Sequence, residues 1–336
     1  METVEAVVGI DISKKKLDVA LLLNGKIKSK VVDNTAQGHQ SLLAWLDKSK
    51  VARTSLHACM EATGVYYEQA ALALHEAGVK VSVINPGCIK GFSQSENLRN
   101  KNDGVDAALI ARYGAAMKPM LWTPPPLEQR QLRAWTMRIQ ALKDMRQQEL
   151  NRQEVHQTTG MTDVAGHVEQ HITWLDAEIG KLEKDIDDHI DRHPDLKRDA
   201  DLLSSIPGVG NLTVARILGH LGDIRRFDSA KSFASFLGVT PRQRSSGTSL
   251  RGRTMMSRTG STSLRAALYM PSLVAAKHNP ILRLFYERLR ATGMAKKAVV
   301  GAVMHKLTHL IYGVIRTGKP FDANYLAKGL AIQDGI

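Results

Sequence analysis

Residues 4 to 33 hold three strand-like runs in succession, VEAVVGID, KLDVALLL and KIKSKVVD, with turn signals at Ser13 to Lys15 and at Asn24-Gly25. A helical pattern follows over residues 36 to 48 (AQGHQSLLAWLDK), then a strand at 55 to 62 (SLHACMEA), a helix at 66 to 77 and a strand at 80 to 85 (KVSVIN). A three-strand meander followed by helix, strand, helix, strand predicts a mixed sheet flanked by helices. Of the common layouts, the ribonuclease-H-like one has this order.

Trp122-Thr-Pro-Pro-Pro126 breaks the pattern and reads as a domain boundary. Beyond it Leu132, Trp135, Ile139, Leu142 and Met145 keep helical spacing. After a Gly-containing break, Val168, Ile172, Leu175, Ile179, Leu182, Ile186 and Ile190 step by 4, 3, 4, 3, 4 and 4. That is a heptad seam, so residues 127 to 192 are expected to form a helical hairpin or coiled coil. A seam closed within one chain and one closed between chains look alike in sequence; we read this one as a device for subunit assembly.

His193-Pro194 ends the arm. The run from Leu202 through Ser-Ile-Pro-Gly-Val-Gly210, followed by NLTVARILGHL, resembles a helix-hairpin-helix, whose Gly-rich turn offers backbone N–H groups to a phosphate without reading bases. A plain helix turn with Gly caps is the alternative. From Phe227 onward the chain reads as helical, with turns around Pro241, Gly247, Gly252 and Gly260. The expected class is therefore α/β plus α: a mixed-sheet domain over 1–121, a helical coiled-coil arm over 122–195 and a mostly helical domain over 196–336.

Composition narrows the partner. Hydrophobic residues at 43% and charged ones at 24% exclude a disordered, collagen-like or membrane-spanning chain. The N-terminal METVEAVVGID lacks a basic start and a long apolar run, so no secretory signal is expected. No stretch reaches the ~18 uninterrupted apolar residues of a membrane helix. Cys59 and Cys88 have no zinc spacing, and both are expected to be buried thiols in a reducing cytoplasm. The formal net charge is +13, which points to nucleic acid. Between Asp228 and Glu287 there is no acidic residue, while Lys231, Arg242, Arg244, Arg251, Arg253, Arg258, Arg265, Lys277 and Arg283 lie there. A solvated face normally mixes signs, so this stretch reads as a polyanion contact.

Four acids stand out by position. Asp11 closes the first apolar strand and Glu61 closes another; Asp103 and Asp106 stand three apart at the start of an apolar-periodic helix, where i and i+3 share a face. A carboxylate closing an apolar strand is ill suited to burial unless something cationic meets it. Together the four could converge on magnesium, which prefers oxygen ligands, and a two-ion site suits phosphodiester chemistry. Helix caps at Asp103 and Asp106, a turn at Asp11 and an exposed strand end at Glu61 are the individual alternatives.

Within the acid-free span, Thr240-Pro-Arg-Gln-Arg-Ser-Ser246-Gly-Thr-Ser249-Leu-Arg-Gly252 packs hydroxyls and guanidiniums into a Gly-punctuated loop. Ser and Thr in a loop are usually turn formers. A serine nucleophile needs a base or metal to lose its proton, and no His lies in this loop.

The motifs GIDISKKKLDVAL, MEATGVYY, INP, SENLRNKNDGVDA, SIPGVG, GVTPRQRSSGTSLRG and SLRAALYMP, in this order over about residues 5 to 320, resemble those of the insertion-sequence-110 family of DEDD transposases, the bridge-RNA-guided serine recombinases. The resemblance implies a RuvC-like domain whose tetrad is Asp11, Glu61, Asp103 and Asp106, binding Mg2+. It implies a catalytic serine immediately before Gly in the SG motif, Ser246, with Ser245 and Ser249 as neighbouring candidates. Arg242, Arg244, Arg251, Arg253 and Arg258 are candidates for clamping phosphate in the helical transposase domain. The family's pattern further implies a phosphoserine–DNA intermediate, target and donor double-stranded DNA, a structured guide RNA, a homotetramer joined by coiled-coil arms, and a nucleoid-associated place in a prokaryotic cytoplasm. Only 5% aromatic residues and the lack of a zinc finger fit a protein that leaves base reading to RNA. The alternatives are a Holliday-junction-type nuclease using the tetrad and water, and a non-catalytic nucleic-acid-binding protein.

Overall fold

The computed structural model describes residues 6–62, 64–96, 103–242, 245–246, 250–251, 255–257 and 259–324. The chain divides into two compact units, Met1–Pro124 and Pro125–Ile336.

The first unit is built on β1 (Ala6–Ile12), β2 (Lys16–Leu23), β3 (Lys26–Asp33), α1 (Ala36–Asp47), β4 (Leu56–Glu61), α2 (Glu68–Glu76), β5 (Lys80–Ile84), α3 (Pro86–Ser95) and α4 (Asp103–Met117). The sheet order is β3-β2-β1-β4-β5; β1 to β3 form the antiparallel meander, and β4 and β5 run parallel to β1. This is the mixed, ribonuclease-H-like sheet that the element order predicts. Asn24 and Gly25 both take positive φ, which a two-residue hairpin turn demands. One face carries Val8, Ile10, Leu17, Val19 and Met60, covered by α1 and α2 through Leu42, Leu46 and Leu74. The other carries Val7, Cys59 and Ile84, covered by Leu109 and Ile110 of α4.

Gly9 decides how closely α4 lies on the sheet: a Cβ there would stand 2.0 Å from the Ala107 carbonyl oxygen and 2.3 Å from the Ala111 nitrogen. Helix α3, which the periodicity does not predict, starts at Pro86 behind the Asn85 cap. It leaves Cys88 exposed, so only Cys59 is the buried thiol expected of both. Burial pushes the Cys59 thiol up to about 12, which keeps it unreactive.

The second unit begins with α5 (Leu127–Thr158) and α6 (Thr162–Arg192), an antiparallel hairpin. The seam residues Val168, Ile172, Leu175, Ile179, Leu182, Ile186 and Ile190 are all buried, and those from Leu175 to Ile190 share one core with Leu132, Ile139 and Leu142 of α5. Lys143–Glu183 (2.8 Å) and Arg146–Asp176 ion pairs flank the seam. Farther out, Glu149 occupies a buried position and pairs with Arg152 and His171.

The hairpin base shares one core with α7 (Pro194–Ser204), α8 (Asn211–Leu221), α9 (Ala230–Leu237), α10 (Thr262–His278), α11 (Pro280–Ala291) and α12 (Lys296–Thr317). Helix α12 is long and apolar enough to cross a membrane by length and composition. Half of that window is buried, with Val303, Leu307 and Ile311 inside this core. Where a loop was expected, four two-residue strands form two ladders: β6 (Pro241–Arg242) with β9 (Met255–Met256), and nested inside it β7 (Ser245–Ser246) with β8 (Leu250–Arg251).

Candidate active site

The parallel register of β1 and β4 pairs Ile10 with Met60, so Asp11 and Glu61 stand level one residue farther on. Neighbouring strands lie ~4.7–4.9 Å apart and residues level across a parallel pair share a face. Both carboxylates are therefore delivered to one sheet end on the α4 face, each half-buried and each engaged in a polar or electrostatic interaction. Along α4, Ala107 and Ala111 press on Gly9 while Gly114 lies against Val7 and Cys59. The first turn of the helix is thus directed past Gly9 toward the end of β1 that carries Asp11. Asp106, half-buried, immediately precedes Ala107, and Asp103 opens the helix; the Asp103 side chain is outside the described residues.

Among the described residues no three His, Cys, Asp or Glu side chains form a ready-made metal cluster. What the fold sets level at this end is Asp11 and Glu61, and the helix that carries Asp106 starts toward it. That donor set is entirely carboxylate oxygen, which suits a hard divalent cation and not a thiophilic one.

The serine segment is held differently. Ser246 pairs with Leu250 and Ser245 with Arg251 across the inner ladder; Arg242 is exposed on the outer one. Arg244, Ser249, Arg253 and Arg258 lie outside the described residues. At the base of the ribbon Ser257 N–H donates to the Thr240 carbonyl (2.8 Å), and Gly301 of α12 lies under Met256. The ring of His305 hydrogen-bonds the Val239 main chain.

The profile named "Transposase IS116/IS110/IS902 family" matches residues 200–287, and a second transposase profile, the IS110 DEDD one, matches residues 8–157. The chain is 34% identical over 319 residues to a pilin gene-inverting protein of Moraxella bovis, covering 94% of this chain and 97% of that one. The chain belongs to the IS110 family of insertion-sequence transposases. A transposase for insertion sequence element IS1111A of Coxiella burnetii is 24% identical, covering 72% of this chain and 70% of its own. T. thermophilus RuvC in complex with Holliday junction substrate aligns with 33% of this chain and 95% of that chain at 19% identity and a TM-score of 0.25. At that score the alignment adds nothing to the sheet order described above.

The transposase frames its acids with residues that sequence reasoning missed. Asn34 donates through Nδ2 to the Ser13 carbonyl in the β1–β2 turn and to the Tyr66 carbonyl in the loop after β4, both at 3.0 Å. Its Oδ1 meets His39 Nε2 at 2.9 Å, and its N–H donates to the Lys15 carbonyl. One side chain thus ties together the two loops that leave Asp11 and Glu61. Burial lowers the pKa of His39, so the neutral ring can donate to Asn34. No local signal reveals this clasp, because Ser13 and Tyr66 lie 21 and 32 residues from Asn34.

The Gly-rich turn between α7 and α8 also has a packing role. Gly208 takes φ +103°, and a Cβ there would stand 2.7 Å from the nitrogen of Ala275 on α10. Gly210 remains exposed ahead of α8, but Asn211 beside it faces Asp187 at 3.5 Å, a carboxylate close to where a phosphate would bind.

Proposed function

We propose that the transposase is an RNA-guided DNA recombinase that cuts and rejoins double-stranded target and donor DNA through a phosphoserine intermediate. The observation that supports this reading is the level placement of Asp11 and Glu61 at one sheet end, with α4 starting toward it, in a chain whose serine ribbon lies in an acid-free span. Residues 1–121 act as the metal-binding part, 122–195 as the assembly arm and 196–336 as the part that carries the nucleophile.

Asp11, Glu61, Asp103 and Asp106 would hold Mg2+. Bound there, the ion supplies Lewis-acid stabilisation of the scissile phosphate and lowers the pKa of an attacking hydroxyl. Ser246 Oγ attacks phosphorus: a P–O(Ser) bond forms as a P–O(deoxyribose) bond breaks, the serine gives up its proton and the leaving deoxyribose oxygen gains one. The number of phosphoester bonds is unchanged, so attack by a second strand's hydroxyl reverses the step and frees the serine without a nucleotide cofactor. Arg242, Arg244, Arg251, Arg253 and Arg258 clamp phosphate and its developing charge. A structured guide RNA selects the sites, and four subunits supply the paired half-sites at the nucleoid of a prokaryotic cytoplasm.

Ser246→Ala tests the chemistry. The variant should lose the SDS-resistant protein–DNA adduct and DNA cleavage while melting as the wild type does. Persistent cleavage would show water to be the nucleophile and would leave a tetrad nuclease. Sequencing the nucleic acid that copurifies tests guidance: one structured RNA supports it, and random fragments overturn it.

A further inference from the structure

A fifth carboxylate stands on the acid face. The antiparallel ladder of β1 and β2 places Asp18 directly opposite Asp11, and residues directly opposite share a face with Cβ atoms ~4.5–5.5 Å apart. The tight turn fixes this register: Ser13 N–H donates to the Lys16 carbonyl at 3.0 Å, and Ser13 Oγ accepts from the Lys16 N–H at 3.1 Å. Asp18 is only 8% exposed, flanked on its strand by buried Leu17 and Val19 and across the sheet by Val31 of β3. Lys16, two residues earlier and so on the same face, brings Nζ to 3.0 Å from Asp18 Oδ2.

As a stabilising device this arrangement is poor. Like charges directly opposite in a ladder destabilise it, and a buried ion pair is commonly no better than apolar residues of the same size. A Thr or Val at position 18 would suit the buried strand better. The acid is costly where it stands, and the group it stands beside is Asp11.

We infer that Asp18 and Lys16 are positioning residues that set the divalent-cation affinity of the Asp11, Glu61, Asp103 and Asp106 cluster. Asp18 adds negative potential next to Asp11 and holds the Lys16 ammonium in place; Lys16 limits how negative the cluster becomes. The inference rests on the proposed metal-binding role of those four acids. It makes the two partners act with opposite sign, because cation affinity at an oxygen site follows the ligand charge count. Removing the Asp18 charge lowers the negative potential beside Asp11 and so weakens cation binding. Removing the Lys16 charge leaves Asp18 unneutralised and strengthens it. A structural ion pair would instead lower stability in both variants without sorting affinity by sign.

The test is Mn2+ titration of the full chain, followed by the electron paramagnetic resonance signal of the free ion, with melting curves recorded for each variant. Asp18→Asn should weaken binding about tenfold and Lys16→Met should tighten it by about threefold, both effects shrinking as salt rises. Asp11→Asn should remove the site. If Asp11→Asn abolishes binding but the other two variants match wild type or shift together, this inference falls and the metal reading stands. If Asp11→Asn binds as wild type does, the metal reading falls and takes the inference with it. Should Asp18→Asn fail to fold, Lys16→Met and Lys16→Gln decide alone, since unchanged or weaker binding in both overturns the inference.

Discussion

Asp11 stands next to last in a strand of seven residues that is paired on both sides, whereas Ser246 stands on a strand of two residues with a single partner. The acids inherit their positions from the ladders of a buried sheet, which cannot slip by one residue without turning the apolar face of β1 outward. The ribbon that carries the serine inherits much less, because a two-residue ladder closes few backbone hydrogen bonds. If the proposed roles hold, the acids would need the preset geometry of the sheet, while the serine would not draw on it. The difference between the two units is thus a difference in how much of the fold must be disturbed before a candidate residue moves.

The largest disturbance available in the first unit is at Gly9. A Cβ there meets main-chain atoms of α4 at 2.0 and 2.3 Å, and a backbone cannot swing aside as a side chain can. Gly9→Val should lift α4 off the sheet, with a cost beyond the ~1–3 kcal/mol usual for overpacking. Thermal melting should show the first unit unfolded or its transition lowered by more than 10 °C on the order-of-magnitude scale of such losses. An unchanged transition would mean that α4 is not anchored at this glycine, and the geometry that brings Asp106 toward Asp11 would fail with it.

Asn34→Ala is a finer cut. It removes the side chain that joins the Ser13 turn, the Tyr66 loop and His39, leaving the buried His39 ring without its partner. Leaving the buried His39 ring unpaired costs ~1–3 kcal/mol, and the loss should fall on the first unit alone. Hydrogen exchange should rise at residues 13–16 and 64–67 and stay constant in α5 to α12; a uniform rise would argue against a local clasp.

What could be read in the sequence follows the same divide. The strands of the first unit announce themselves by alternating apolar residues, and Asp11 and Glu61 by closing such runs, because a buried sheet stamps its period on the chain. The seam of α6 was equally legible, yet its partner was not: an apolar stripe records that something covers it, and only the fold shows Leu132, Ile139 and Leu142 doing so. Asn34 was illegible because its partners are distant in sequence. The ladders at Ser245 and Ser246 were illegible because two residues carry no period. Cys88 shows the limit of residue type as a guide, since a thiol that tolerates burial does not require it.

Acid should separate the two units more gently. Burial, the neighbouring His305, Lys306 and Lys231 hold the His309 pKa down at about 4; burial with Arg133 and Arg216 does the same to His220. Burial also lowers His305, next to Lys306, while in the first unit His39 is lowered by burial. An unfolded histidine titrates near ~6.5, so between that pH and about 4 the unfolded chain binds protons that the folded one refuses. The stability these rings contribute is complete above ~6.5 and is lost as pH falls through the folded values. Each fully shielded ring contributes up to about 1.4 kcal/mol per pH unit, and partial contact with water reduces that. Three of the four rings lie in the second unit, two of them, His305 and His309, with centroids 4.4 Å apart and tilted by 54° beneath the serine ribbon. Lowering pH from 7.5 to 5 should therefore loosen α9 and α12 before the sheet, as read by hydrogen exchange corrected for its intrinsic pH dependence. His309→Gln should flatten the response of the second unit and leave that of the first unchanged. If the sheet loosens first, the expected order of the two units under acid is wrong.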